Sequence, residues 1–394
     1  MKNKTVLLAI QGEGRGHMTQ AISVYNTLLE LGFEVCCVVV GNNSRSIPEF
    51  LQQRIKSPVV PLPSPKFVLS GNRKVSMART LLLNLANSGK YFHSARIFDR
   101  LVRFHRPDLI INFYEPLVPI YLAIYGFSGK VISIAHQYIY LHPLFEFPKG
   151  NSLRKFALSF YTRLTAFGSD SVLAISLYDL PDRSRGKLQV IPPLLRKELG
   201  ELKVMQGNYI LVYLVSSGYM DEIIQWHELN QDVRLHCFTD CPKVKTRFRG
   251  HWKFDDNLSF HSLDDRLFLD MMAGCLGLAT TAGFESVCEA NYLGKPVLMV
   301  PVEGHFEQYC NSVDAAQRGL GVSSMKFDPG KLIGYMAEPA IERTLFVTWV
   351  DTAENKLRQL ISDVLQNEHL NGEISRRKQS LPAEKILPQA LELS

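Results

Sequence analysis

The sequence lacks the features that would place it in several large classes. Seven cysteines, an odd number, show no spacing that suggests a disulfide framework. Cys237 and Cys241 have no Cys or His partner pair at zinc-finger distance, so a structural zinc site is not expected, and reduced thiols in a cytosolic chain are the simpler reading. Long apolar runs are missing too. Residues 6–10 are too few for a signal h-region and lead straight into Gly-Glu-Gly-Arg-Gly-His, while residues 116–129 are too short and too broken by proline to cross a bilayer. A soluble or peripheral protein is expected. There is no internal repeat and no low-complexity tract. Acid is almost absent between Lys66 and Arg106, where Lys66, Arg73, Lys74, Arg79, Lys90, Arg96, Arg100, Arg103 and Arg106 face only Asp99. That stretch outweighs the +6 net charge of the whole chain.

What remains is globular. With 394 residues, 46% hydrophobic and 21% charged, the chain can build two domains of ordinary size. Residues 5–10 read as a first strand, and the loop Gln11-Gly12-Glu13-Gly14-Arg15-Gly16-His17 follows. A helix over 18–31 and a strand over 34–40 complete a βαβ opening. The third glycine falls one residue early for a dinucleotide fingerprint, and no acid closes the second strand. Residues 48–65 are proline-rich and read as irregular. Residues 76–106 read as helical, with an apolar stripe among the basic residues. This fits either an interfacial helix or an ordinary amphipathic helix with a solvated edge. No nucleic-acid motif accompanies the charge.

Further buried strands are expected at 107–112 and 130–136. Glu115 lies in the loop after the first, and His136, Gln137, Tyr138, Tyr140 and His142 follow the second. Glu115, His136 and Tyr138 are candidates for holding a sugar or an acceptor hydroxyl, with interdomain packing as the alternative. A helix over 153–167 and a strand over 171–175 close the first half. The domain boundaries expected are 1–193, a linker 194–207, a second βα domain 208–350, and a crossover helix with tail 351–394. The second domain opens on a strand at 209–214 ending in Ser216-Ser217-Gly218.

The most informative stretch is 279–321. A turn Thr280-Thr281-Ala282-Gly283 leads into a helix at Phe284-Glu285-Ser286. Glu289 lies one turn after Glu285 on the same face, and Gly294-Lys295-Pro296 stops the helix. A buried strand at 297–300 then delivers Glu303, His305, Glu307, Gln308 and Asn311 to its carboxyl end, where open α/β sheets bind ligands.

Glu289-x4-Gly294-x-Pro296, then Pro301, then Glu307-Gln308 and Asn311, together with Gly16-His17 in the first loop, resemble the signature of GT-B glycosyltransferases. The likeness is to family 28 (the peptidoglycan N-acetylglucosaminyltransferase and galactolipid synthase type) and to family-1 UDP-glycosyltransferases. It implies an α/β fold of two Rossmann-like domains facing each other across a cleft: an N-terminal acceptor domain and a C-terminal UDP-sugar domain. It also implies inverting, metal-independent transfer of a hexose or N-acetylhexosamine, with no cofactor beyond the UDP-sugar co-substrate. No Asp-x-Asp triplet exists to hold a metal, so the helix N-terminus after Gly283, with the Thr281 and Ser286 hydroxyls, would face the diphosphate.

The resemblance carries donor contacts onto Gly14, Gly16, Ser216, Gly218, Thr281, Gly283, Phe284 and Ser286. It places uracil at His261, Ser262 and Leu263, the ribose at Glu289, and the donor sugar at Glu307 and Gln308. Glu289 is otherwise a surface carboxylate. His17 is the first candidate base and Glu13 the second, with a structural or phosphate-contacting role as the alternative for His17. The family-1 plant pattern has a His-Cys-Gly-Trp run where this chain has Thr281-Ala282-Gly283-Phe284, a departure that points toward the family-28 branch. The basic segment suggests a lipid-linked or membrane-proximal acceptor and contact with anionic lipid at the inner face of the membrane. Two rivals use the same residues: a UDP-N-acetylglucosamine 2-epimerase and a non-catalytic nucleotide-sugar-binding protein.

Overall fold

The structure is a computed structural model that describes residues 4–42, 47–65, 69–70, 74–75, 77–181, 187–214, 217–336 and 341–366. Ser216, Lys66, Arg73 and the tail beyond 366 fall outside them.

The first half begins β1 (Thr5–Gln11), α1 (Gly16–Glu30), β2 (Glu34–Gly41), α2 (Glu49–Arg54) and β3 (Val59–Leu62). A small ribbon of β4 (Leu69–Ser70) and β5 (Lys74–Val75) precedes α3 (Met77–Ala86) and α4 (Ser88–His105). Then come β6 (Leu109–Phe113), α5 (Leu117–Tyr125), β7 (Lys130–Ala135), a 3-10 turn over His136–Leu141, α6 (Ser152–Thr165), β8 (Ser171–Ile175) and β9 (Leu188–Ile191). Seven strands form one sheet in the order β3-β2-β1-β6-β7-β8-β9, all parallel. Their residues are apolar on both faces, as helices on both sides require. The region 48–65, read as irregular, instead holds α2 and the edge strand β3. Pro61 fits there because an edge strand can spare an N–H.

The second half repeats the plan. It runs β10 (Ile210–Leu214), α7 (Met220–Glu228), β11 (Leu235–Thr239), α8 (Pro242–Thr246), β12 (His251–Lys253), β13 (Leu258–Ser262) and α9 (Asp265–Gly274). It continues β14 (Gly277–Thr280), α10 (Phe284–Tyr292), β15 (Val297–Met299), α11 (Phe306–Gln317), β16 (Val322–Ser323), α12 (Pro329–Tyr335), α13 (Ile341–Asp351) and α14 (Ala353–Gln366). The sheet order is β12-β13-β11-β10-β14-β15-β16, parallel except for the β12–β13 pair.

Strand order reverses direction between β1 and β6 in the first sheet and between β10 and β14 in the second. Such switch points open a crevice at the carboxyl ends of the strands, and the two crevices face each other. The halves are joined by an apolar seam. Phe346 and Val350 of α13 and Leu357, Ile361 and Leu365 of α14 belong to a core cluster that also holds Val6 and Leu8 of β1 and Val297 of β15. α14 returns to the first sheet beside β9, where Arg358 pairs with Glu30. Among the described residues, no helix is long and apolar enough to cross a membrane, and all seven cysteines are buried and free.

Candidate functional site

The first glycine loop leaves β1 at the switch point. Gly12 runs so close to β2 that a Cβ there would meet the Gly41 carbonyl oxygen at 2.0 Å. Gly14 adopts φ +82°, which favours glycine. The loop delivers Gly16 and His17 to the first turn of α1, and Gln20 lies one turn on, on the same face. Glu13 sits half-buried in the loop. His17 is buried, and burial holds its imidazole at about 4, with Gln20 opposing the shift. It is therefore neutral at neutral pH and has a lone pair to offer. Tyr114 stacks on it at 5.8 Å.

Across the crevice, β14 ends in Thr280 and the turn to α10. Ala282 takes φ +47°, an uncommon left-handed value for a residue with a side chain. The turn presents the N-terminus of α10 to α1. A Cβ on Gly16 would lie 3.0 Å from the Glu285 Cγ, so the two domains are in contact at this point. Gln20 Nε2 donates to Glu285 Oε1, while the second carboxylate oxygen of Glu285 has no partner among the described residues. Burial pushes the Glu285 carboxyl up to about 8, against the Gln20 hydrogen bond. Ser286 Oγ donates to the Gly283 carbonyl and lies 3.2 Å from the Thr280 hydroxyl. The Thr281 hydroxyl is buried and has no partner among the described residues. A helix N-terminus, an unpaired hydroxyl and a neutral carboxyl suit an anionic group.

Glu289 is not a surface carboxylate. It is 2% exposed and accepts a hydrogen bond from Arg196 Nε at 2.6 Å, while Arg196 Nη1 reaches Asp265 at 2.8 Å. The ribose role must use what Arg196 leaves free. Arg196 comes from the interdomain segment and was missed by sequence reasoning, since nothing local marks one arginine there as a partner for a glutamate 93 residues away.

Glu307 opens α11. Its carboxylate accepts from Gln137 Nε2 at 3.0 Å, and burial pushes it up to about 7. Gln308 turns the other way, since its Oε1 accepts from the Val302 N–H and fixes the preceding loop. Asn311 lies within 2.8 Å of His136 Nε2.

Other expected site residues are spread more widely. His261 and Ser262 belong to strand β13 rather than to the loop beyond it, and the Ser262 N–H is taken by the Gly250 carbonyl. Only Leu263 of that trio lies in the loop. Gly218 sits in a 3-10 turn after β10, at the edge of the crevice. His136 stacks on Phe284 at 3.6 Å and bonds Ile175 and Asn311, and Tyr138 is fully buried. His136 serves the interdomain packing, while Tyr138 packs edge-on against Tyr114 within the first half. Glu115 is fully buried at the carboxyl end of β6. Its Oε1 accepts from Ser64 and from the Leu117 N–H, Oε2 has no partner, and burial raises it to about 8. Among the described residues, no group of His, Cys, Asp and Glu is arranged to hold a metal ion.

Two Rossmann-like domains with facing switch points, a glycine loop on one side and a helix N-terminus on the other, define the GT-B class of glycosyltransferase. The family model described as Glycosyl transferase family 1 matches residues 4–338, so the chain belongs to that family and is an enzyme of the glycosyltransferase class. The match falls on the family-1 side of the resemblance and lends no support to family 28. No curated protein matches in sequence. Among solved structures, the glycotransferase of kitacinnamycin superposes with a TM-score of 0.61 at 13% identity, covering 92% of this chain and 100% of that one. Arabidopsis thaliana UGT89C1 complexed with UDP-L-rhamnose gives 0.59 at 17%, covering 93% and 100%. The calicheamicin glycosyltransferase CalG4 gives 0.59 at 12%, covering 93% and 99%. Identities this low speak for the fold alone.

Proposed function

We propose that the chain transfers a hexose or N-acetylhexosamine from a UDP-sugar to a hydroxyl of a lipid-linked acceptor, with inversion and without a divalent metal. The observation that carries the reading is the α10 N-terminus at the switch point, facing His17 across the crevice. The diphosphate meets the free N–H groups of the Gly283–Glu285 turn and the Thr281 hydroxyl. Glu285, neutral because it is buried, adds no opposing charge. The acceptor oxygen attacks the anomeric carbon, the bond from that carbon to the diphosphate oxygen breaks, and the hydroxyl proton passes to neutral His17. UDP leaves with the bonding pair. UDP as the nucleotide is supported by the solved neighbour complexed with UDP-L-rhamnose and by the position of Glu289. Absence of an Asp-x-Asp triplet supports metal independence.

Calorimetric titration of UDP, ADP, GDP and TDP in EDTA tests the reading, on wild type and Glu289→Gln. Selective UDP binding that weakens in the variant is expected. Binding of no nucleotide would sink the donor site. Tight UDP binding with no turnover on any acceptor would favour a non-catalytic binding protein.

A further inference from the structure

Helix α6 carries a second apolar stripe on its outer side. It buries Ser159, Thr162 and Thr165 and exposes Leu153, Phe156, Phe160 and Leu164. Leu153 is 81% exposed and Phe156 64%. At 100° per residue the exposed four, with Phe167 just beyond the helix, fall within one narrow stripe. An ordinary surface helix turns such a stripe toward the core. The inner side is mixed: Leu158 and Tyr161 pack on the core, and the Thr162 hydroxyl lies 2.8 Å from that of Tyr114, whose ring stacks on His17. Thr165 likewise accepts, through its carbonyl, from Asn112 Nδ2. Among the described residues, the outward stripe has no partner.

The stripe does not stand alone. α5 packs between α6 and α4. It exposes Ile124 and Tyr125, and α4 ends with Phe104 80% exposed. Cations surround this apolar surface. α6 carries Arg154, Lys155 and Arg163 and no acid, and α4 adds exposed Arg96, Arg100 and Arg103. Its single acid, Asp99, is paired with Arg103 at 2.7 Å.

We infer that this face of α4, α5 and α6 docks on a lipid bilayer carrying anionic head groups. Aromatic and aliphatic side chains enter the interface while the flanking cations meet lipid phosphates. A second copy of the chain is the poorer occupant, because the same cations would face each other. The inference deepens the reading of a lipid-linked acceptor and rests on it in one respect. α6 is then a wall one helix thick, about 10 Å, between the bilayer and Tyr114, so an acceptor anchored in the membrane presents its hydroxyl to the crevice around that wall.

The test is sedimentation of the full chain with sucrose-loaded vesicles, either phosphatidylcholine alone or mixed with phosphatidylglycerol. Wild type is expected to sediment with the mixed vesicles only and to be released by high salt. Phe156→Asp with Phe160→Asp should lower binding by at least tenfold. Arg154→Ala, Lys155→Ala and Arg163→Ala together should lower it roughly a hundredfold, at about 1 kcal/mol per cation. Far-UV circular dichroism and UDP titration check that both variants fold. Wild type left in the supernatant overturns the inference, as does equal sedimentation of the phenylalanine variant. A dimer dissolved by the phenylalanine pair, without vesicle binding, overturns it in favour of a second copy. Sedimentation needs no donor, so its failure leaves the donor site standing. Loss of UDP binding in a chain that still sediments sinks the donor site alone.

Discussion

Glu285 is the residue whose behaviour tests most directly how the crevice is built. It is 9% exposed, one oxygen accepts from Gln20, and the other has no partner among the described residues. Its folded pKa, about 8 against an ordinary 4.5, means that the native state keeps a proton which the unfolded chain has already released. Stability from this group is fully present below the unfolded value and drains away as pH rises toward 8, at about 1.4 kcal/mol per unit. Glu115, also near 8, and Glu307, near 7, act with the same sign. Histidines 17, 136, 261 and 305, held near 4 by burial, act with the opposite sign but only below about pH 6.5. Glu285→Gln removes one titrating group and keeps the shape and the acceptor for Gln20. Urea unfolding of both proteins from pH 6.5 to 8 should therefore show the variant gaining about 1.5 kcal/mol on wild type across that range. UDP affinity should fall above pH 8 in wild type and hold in the variant. Parallel stability curves would show that Glu285 is ionised in the folded protein, and the account of a neutral carboxyl beside the diphosphate would fail.

Two further outcomes follow from the same geometry. His17→Ala should lower turnover by about 10²- to 10⁴-fold in steady-state assays while calorimetry finds UDP affinity nearly unchanged, since His17 faces the acceptor side of the crevice. Arg196→Ala leaves Glu289 buried without its partner and should cost about 3–5 kcal/mol in urea unfolding. The double change Arg196→Met with Glu289→Leu should recover most of that stability and none of the UDP binding.

The fold was legible because its signal is local. Strands such as β1, β6 and β15 are short runs of apolar residues bounded by glycine, proline or asparagine, and such runs read as strands buried on both faces. Elements with a mixed signal were hidden. β3 lies among prolines, β12 is His-Trp-Lys, and α5 carries Pro119 in its first helical turn, where proline is tolerated. The glycine loop and the α10 turn were found from spacing. Their partners were not, because Gln20 and Glu285 are 265 residues apart and no periodicity links them. α6 exposes another limit. Its apolar residues lie on both sides, Leu158 and Tyr161 inward and Leu153, Phe156, Phe160 and Leu164 outward, so the sequence alone does not say which stripe meets the core.

The two halves meet at the glycine loop and again at α13 and α14. A Cβ on Gly16 would lie 3.0 Å from the Glu285 Cγ, so α1 and α10 pack closely beside the turn. The contacts across the halves there include the His136 ring on Phe284 and Phe147 on Phe306, and the hydrogen bonds of Gln20 to Glu285, Gln137 to Glu307, His136 to Asn311 and Tyr178 to Asp314. In water each of those hydrogen bonds is worth only about 0.5–1.5 kcal/mol net. They also close over groups left unsatisfied, namely Glu285 Oε2, the Thr281 hydroxyl and Gln137 Oε1, each of which costs about 1–3 kcal/mol while buried without a partner. A ligand with hydroxyls and phosphate oxygens would satisfy those groups. The opposite side carries an apolar seam. There Phe346, Val350, Leu357, Ile361 and Leu365 bury apolar surface continuous with both sheets, and separating them would expose it at about 25 cal/mol per Å².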